Sequence, residues 1–235
     1  MPADHFINIY QRHADLYDAM VSREDYQGHL LPALYHAAPL DGAFVVEFGA
    51  GTGRLTRLLT PHAAFVAAFD ISPHMLRTAA PTLPAGGAWS LAAADNAHMP
   101  LRAGVADVVM AGWSLGHATG WYPDTWRASI GAALREMLRL LKPDGTAVIL
   151  ETMGTGYADA APPNETLAAY YAWLEETWGF TRQVIRTDYR FESVDEADKL
   201  TRFFFGDALA DRIRAESLTL LPESTGIWSR HISSR

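Results

Sequence analysis

Residues 43–56 read AFVVEFGAGTGRLT, an apolar run that closes on an acid and then a G-x-G-x-G turn. No other stretch restricts the fold of this chain as tightly. Phe44, Val45 and Val46 favour extended backbone and have no polar interruption, the pattern of a strand buried on both faces of a parallel sheet. The chain must then reverse into a helix opening near Thr52 or Arg54. Gly49, Gly51 and Gly53 permit positive φ and present no Cβ, so a ligand can lie against bare backbone at a helix N-terminus.

Three glycine signatures compete for this turn. A Walker loop requires G-x-x-x-x-G-K-[ST], and nothing here supplies its lysine. The dinucleotide fingerprint G-x-G-x-x-G would need a third glycine where Arg54 stands. The pattern E-x-G-x-G-x-G, led by Glu47 and running through Gly49, Ala50, Gly51 and Gly53, resembles motif I of the class I S-adenosylmethionine (SAM)-dependent methyltransferases. A tight strand–helix connection with no ligand would also use such a turn, so the flanking residues must decide.

A second apolar run, Phe65 to Phe69, ends in Asp70 about twenty residues past the glycines, where a carboxylate can accept both ribose hydroxyls of an adenosine. An N-cap before Ser72-Pro73 is the other reading of Asp70. The following stretch, with Ile71 and Met75, resembles the family's segment in which an apolar side chain lies against adenine. Leu91 to Asp95 reads as a third short strand ending in an acid; the resemblance implies that Asp95 accepts from the adenine amino group, with the Asn96 backbone near the ring. Ala106 to Met110 reads as the fourth strand, Leu134 to Lys142 as a helix stopped by Lys142-Pro143-Asp144-Gly145, and Thr146 to Leu150 as the fifth strand.

The series spans residues 43–152 and implies a doubly wound, Rossmann-like α/β fold. Its seven-stranded, mostly parallel sheet would have an antiparallel edge strand, and its cofactor would be SAM, leaving S-adenosylhomocysteine (SAH) as product. Residues 1–40 would form a helical N-terminal lid and residues 41–235 the methyltransferase domain. Residues 192–222 would be a helical insertion between the last two strands. In the lid, Phe6, Ile9, Tyr10, His13, Leu16 and Tyr17 recur at helical spacing. The string from Tyr10 to Asp18 resembles the family's Y-x₃-A-x₂-YD pattern; Tyr10 and Tyr17 then either reach the methionine end of the donor or pack the lid onto the sheet. Beyond Leu150, Met153 to Asn164 reads as a linker, Leu167 to Trp178 as a helix, Thr181 to Phe191 as the sixth strand and Gly226-Ile227-Trp228 as the seventh. Phe203, Phe204 and Phe205 cannot all face one core on a helix, so at least one is expected at a pocket or partner.

Composition narrows the acceptor. The 235 residues suit one α/β domain with a small appendage, and 49% hydrophobic against 20% charged residues suffices for a sizeable core. Zero cysteines exclude disulfides, thiolate metal sites and covalent cytosine methylation through a thiolate. A net charge of −8 argues against a nucleic-acid partner. Arg127, Arg135, Arg139 and Lys142 look like the solvated side of a helix. Neither a signal-peptide segment nor an apolar stretch approaching 18 residues is evident, so a cytoplasmic monomer or homodimer with no membrane contact is expected. The nine histidines show no paired metal spacing, so no metal is implied.

Chemistry in open α/β sheets sits beyond the carboxyl ends of the strands. After the fourth strand come Gly112, Trp113, Ser114 and His117, then Trp121, Tyr122 and Trp126; after the fifth comes Glu151. Gly112 and Trp113 are placed beside the donor. His117 is the candidate base, since an ordinary imidazole titrates near ~6.5; a loop hydrogen bond is the plainer reading. Glu151 is the second candidate, as a structural acceptor or a contact to a substrate amine. The tryptophans line a wall for an aromatic or cationic acceptor, or belong to the core. The expected activity is methyl transfer to a small organic molecule on O, N or C. A SAM-binding protein that does not methylate is the alternative.

Overall fold

A computed structural model describes residues 3–233; the outermost ends of the expected lid and main domain, residues 1–2 and 234–235, lie outside the described residues. Its strands are β1 (Phe44–Phe48), β2 (Phe65–Asp70), β3 (Trp89–Ala93), β4 (Ala106–Gly112), β5 (Leu141–Thr155), β6 (Thr181–Arg186), β7 (Tyr189–Arg190), β8 (Leu220–Leu221) and β9 (Glu223–His231). Seven form one sheet in the order β3-β2-β1-β4-β5-β9-β6, and β7 pairs with β8 outside it. β1 to β5 run parallel, and β9 lies antiparallel between β5 and β6. Val45 of β1 sits between Val66 of β2 and Val108 of β4, all three with no solvent exposure. The sheet is therefore buried on both faces, as its unbroken apolar strands require. The strand order reverses between β1 and β4, and the crevice beyond their carboxyl ends is where such sheets take ligands.

Helices cover both faces. α1 (Ala3–Arg12) and α2 (Ala14–Val21) precede α3 (Leu30–Ala37), whose Leu30 and Leu34 pack with Val45 and Ile227. The same face receives Leu55 and Leu59 of α4 (Arg54–Leu59). α5 (Pro73–Ala79) is capped by Ser72, whose Oγ accepts from Met75 N. α6 (His117–Trp121) is a single short turn ahead of α7 (Trp126–Leu140), which sets Ile130, Leu134 and Met137 on the opposite face. There they meet Tyr170, Tyr171 and Leu174 of α8 (Glu165–Glu176). Each such fully buried aliphatic side chain contributes about 1.5–3 kcal/mol. α9 (Val194–Phe205) and α10 (Asp207–Glu216) lie between β7 and β8 and share a third cluster with Met20, Tyr189 and Leu221. Among the described residues no helix is long and apolar enough to cross a membrane.

Several boundaries differ from the sequence reading. Of the expected lid only α1 and α2 lie at the site, because the apolar face of α3 is consumed by the sheet. α7 ends at Leu140, and Lys142 to Gly145 begin β5 instead of ending a helix, since Pro143 cannot continue one. Lys142 and Arg139 are not free surface charges. Lys142 Nζ donates to Asp107 Oδ1 (2.8 Å), and Arg139 donates to Glu136 and to the Met99 and Leu101 carbonyls. The sixth strand breaks after Arg186, where Asp188 Oδ1 accepts from the Arg186 guanidinium and from Glu223 N. β5 runs on to Thr155, shortening the linker, and α8 starts two residues earlier because Asn164 Oδ1 accepts from Leu167 N.

Candidate functional site

The turn after β1 is built by its glycines. Gly49 and Gly51 hold φ of +66° and +56°. A Cβ at Gly49 would stand 2.4 Å from Ser114 Cβ, so the loop after β4 can pack against β1 only because no side chain intervenes. Gly51 N donates to Asp70 Oδ2 (2.8 Å) and Ser72 N donates to Asp70 Oδ1 (2.7 Å). One carboxylate thus ties the loops after β1 and β2 together. Asp70 is not the cap of α5, a role Ser72 takes. Burial raises the Asp70 pKa, while these two backbone donors pull it down.

A cleft of about 250 Å³ opens over this turn. Its wall includes Tyr17, Glu47, Gly49, Ala50, Gly51, Asp70, Ile71, Met75, Asp95, Asn96, Gly112 and Trp113, so the structure brings these sequence-selected residues to one place. Gly53 is the exception. It stands behind the turn at the start of α4, where an added Cβ would lie 3.3 Å from Ala79 Cβ. Ile71 is 71% exposed, beside buried Met75. Glu47 lies at the base, its Oε2 accepting from Thr56 Oγ1 (2.6 Å), and burial raises its pKa to about 8. Thr52 Oγ1, also on the wall, is buried without a hydrogen-bond partner.

A second cavity, of about 780 Å³, adjoins the first. The two share Tyr10, Tyr17, Arg54, Trp113, His117 and Trp121, which form a waist between them. Trp113 adopts φ of +48°, a left-handed conformation uncommon for so large a residue. The Arg54 guanidinium lies 4.0 Å from the Trp113 ring centre and donates to Glu24 Oε2 (2.7 Å). That pairing is needed, because Arg54 places a cation at the positive end of α4. Burial alone would lower the Arg54 pKa, yet Glu24 beside it leaves the pKa raised. Arg54 Nη2 and Glu24 Oε1 remain buried without partners.

His117 stacks on Trp121, with ring centres 5.1 Å apart, and its Nε2 lies 2.8 Å from Tyr10 Oη. Burial lowers the His117 pKa to about 4, against a smaller raising contribution from the backbone of Trp113. With the ring neutral and its other nitrogen assigned to Trp113, Nε2 is the acceptor and the Tyr10 hydroxyl the donor. The premise that His117 is an ordinary imidazole poised near neutrality therefore does not hold in this fold. Glu151 lies outside the cleft, on the wall of the second cavity, with Oε1 accepting from Gly116 N (2.8 Å). It is 4% exposed, and burial raises its pKa to about 8.

Sequence reasoning did not single out Glu24, Glu223 or Tyr189, all on the second cavity's wall. They come from a turn, a strand end and the two-residue β7, and no local pattern marks them. Arg54 was noticed only for not being glycine. The phenylalanine run was a usable signal, since Phe204 and Phe205 line the cavity and Phe204 meets Phe6 and Tyr17.

Residues 46–149 match a family model described as a methyltransferase domain. Over 140 residues the chain is 29% identical to malonyl-[acyl-carrier protein] O-methyltransferase of Geobacter sulfurreducens, covering 59% of this chain and 49% of that protein. The matched stretches span about half or less of the curated relatives' length. Among solved structures, the N-methyltransferase NodS of Bradyrhizobium japonicum, in complex with SAH, superimposes with a TM-score of 0.56 at 14% identity, over 91% of each chain. The [4+2]-cyclase SpnF gives a TM-score of 0.63 at 15% identity, over 100% of this chain and 98% of its own.

Proposed function

We propose that this chain is a class I SAM-dependent methyltransferase, as the methyltransferase-domain match over residues 46–149 supports, that the glycine-turn cleft holds the donor and that the adjoining cavity holds a small organic acceptor. The observation that carries this reading is the waist: two recesses of unequal size meet across Tyr10, Tyr17, Arg54, Trp113, His117 and Trp121. Methyl transfer is an in-line displacement that depends on alignment and on exclusion of water, and a constriction between two pockets serves both. The larger recess, at about 780 Å³, has the size of sites that enclose small molecules, roughly 300–1,000 Å³.

The residues present fit the donor. Asp70 keeps a second acceptor position on each oxygen for ribose hydroxyls, beyond the two backbone bonds already made. Ile71 and Met75 offer an apolar surface to a flat base, with Asp95 and Asn96 at its rim. The donor brings a sulfonium methyl group whose departure leaves a neutral thioether. Of the protein's own groups, Tyr10 and His117 form the wall nearest the waist and hold each other in place. His117 takes a proton only by giving up the Tyr10 bond, so we assign it to positioning ahead of general-base work.

Calorimetry with SAM and SAH tests the donor assignment, and Asp70→Asn is expected to weaken SAH roughly tenfold by loss of a charge-assisted bond. Incubation with SAM and a metabolite extract is expected to generate SAH. Tight SAM binding with no SAH formed from any extract would leave a binding protein, not a methyltransferase. His117→Ala should leave SAM affinity unchanged and slow turnover; equal turnover would remove His117 from the mechanism.

A further inference from the structure

The acidic and basic groups on the wall of the larger cavity are unevenly matched. Its two guanidinium groups are already matched: Arg54 by Glu24 (2.7 Å), and Arg212 by Glu216 (3.0 Å) and the Gly156 carbonyl (2.6 Å). Of the three further carboxyls on the wall, Asp159 is exposed, while Glu151 and Glu223 are buried and form no ion pair among the described residues. The latter two are 4% and 2% exposed, so neither is relieved by bulk water. Glu151 accepts one bond, from Gly116 N. Glu223 Oε1 accepts from Thr152 Oγ1 (2.7 Å), whereas Oε2 is buried with no hydrogen-bond partner; the Thr155 and Thr152 hydroxyls favour its ionised form against burial. A buried carboxyl without a counter-charge is costly, and it recurs in functional sites where a ligand completes it. The wall is also aromatic, lined by Tyr10, Trp121, Tyr189, Phe204 and Phe205.

We propose that the molecule taken into this cavity carries an amine, received as its ammonium ion by the carboxyls of Glu151 and Glu223. This rests on the reading of the cavity as the acceptor site and names the chemical class that site selects. A carboxylate or phosphate would meet two acidic groups with no free cation to answer it. An ammonium ion supplies the missing counter-charge, and aromatic walls favour a cation over an anion of the same size. The groups facing the pair are Tyr10 from α1, Glu24 from the turn after α2, Arg54 from α4, His117 from α6, Asp159 from the loop after β5, Tyr170 and Tyr171 from α8 and Tyr189 from β7. Of these only Arg54 is cationic, and Glu24 already holds it. In the empty cavity burial keeps Glu151 protonated near neutrality. Loading an ammonium ion ionises it, so amine binding at pH 7 releases about one proton to the buffer. A neutral alcohol releases none.

Three probes that share one ring and differ in the terminal group test this: phenethylamine, phenethyl alcohol and hydrocinnamate. Each is titrated into the SAH-saturated protein by calorimetry in two buffers of different ionisation enthalpy. Phenethylamine is expected to bind roughly tenfold more tightly than the alcohol, the scale of one charge-assisted hydrogen bond, with proton release. Glu151→Gln retains an acceptor for Gly116 N and is expected to reduce the proton release, and the double variant with Glu223→Gln to abolish both the release and the preference. SAH affinity and melting temperature, measured on the same variants, report whether they fold. Equal binding of the three probes, including none, overturns the proposal. So does tighter binding of hydrocinnamate, or an amine preference that survives the double variant. The SAH titration is a separate arm: its failure strikes the donor assignment and leaves the amine result standing as evidence about the cavity.

Discussion

At the scale of single residues, Gly49 shows how little room the glycine-turn cleft has. With φ of +66° and Ser114 Cβ 2.4 Å from where its own Cβ would be, Gly49→Ala meets both a backbone and a packing penalty. The expected outcome is a loss of roughly 1–3 kcal/mol of stability and weaker SAH binding, read by thermal melts and calorimetry. Adding Ser114→Gly should recover only part of it, since the left-handed backbone remains strained for alanine. His117 is the opposite case, a residue whose identity suggested more than its surroundings support. Its pKa of about 4 means that it stays neutral through the whole physiological range. The turnover rate of the wild type is therefore expected to show no acid limb near pH 6.5 from this group, and a limb there that vanishes in His117→Asn would refute the assignment.

At the scale of elements, the lid and the glycine turn are joined by one buried ion pair. Glu24 follows α2 and Arg54 opens α4, so their bond fixes the turn after α2 against the glycine turn. Removing one partner leaves a buried charge uncompensated, and Glu24→Gln or Arg54→Met should each cost about 3–5 kcal/mol. Making both changes should cost clearly less than their sum, and strict additivity in a double-mutant cycle would show that the pair does not couple the elements. α1 adds two weaker ties, Tyr10 Oη to His117 and Ser72 Oγ to the Tyr10 carbonyl (3.1 Å). Tyr10→Phe removes only the first and is expected to loosen α1 while leaving the fold intact, visible as faster hydrogen exchange over residues 6–12.

At the scale of the molecule, buried acids shape the response to pH. Glu47 and Glu151 each titrate near 8 in the fold against an ordinary value of 4.5, and Glu223 is raised in the same direction, first by burial and then by Glu24. Between those limits the folded chain binds protons that the unfolded chain has released. Stability must therefore fall as pH rises through that window, the reverse of the usual behaviour of paired carboxylates. The melting temperature is expected to decline between about pH 5 and pH 8, by an amount on the order of a few kcal/mol in stability. Glu47→Gln and Glu151→Gln should each flatten the curve, and a profile that rises over that interval would contradict the burial of these groups as charge-free carboxyls.

The convergence of the residues around the glycine turn was legible in the chain because it is local. Glu47 to Gly53, Asp70 to Met75, Asp95-Asn96 and Gly112-Trp113 are short segments at strand ends, and residues at the ends of adjacent parallel strands converge whatever the rest of the molecule does. The adjoining cavity was legible only in part: its position after the fifth strand marked Glu151, but Glu24, Arg54, Tyr189 and Glu223 are spread over some two hundred positions and meet only because α1, α2, α9 and α10 fold over one end of the sheet. The same contrast holds for chemistry. Sequence names a histidine or a glutamate, but burial sets whether it is charged, and burial is a sum over neighbours from every part of the fold.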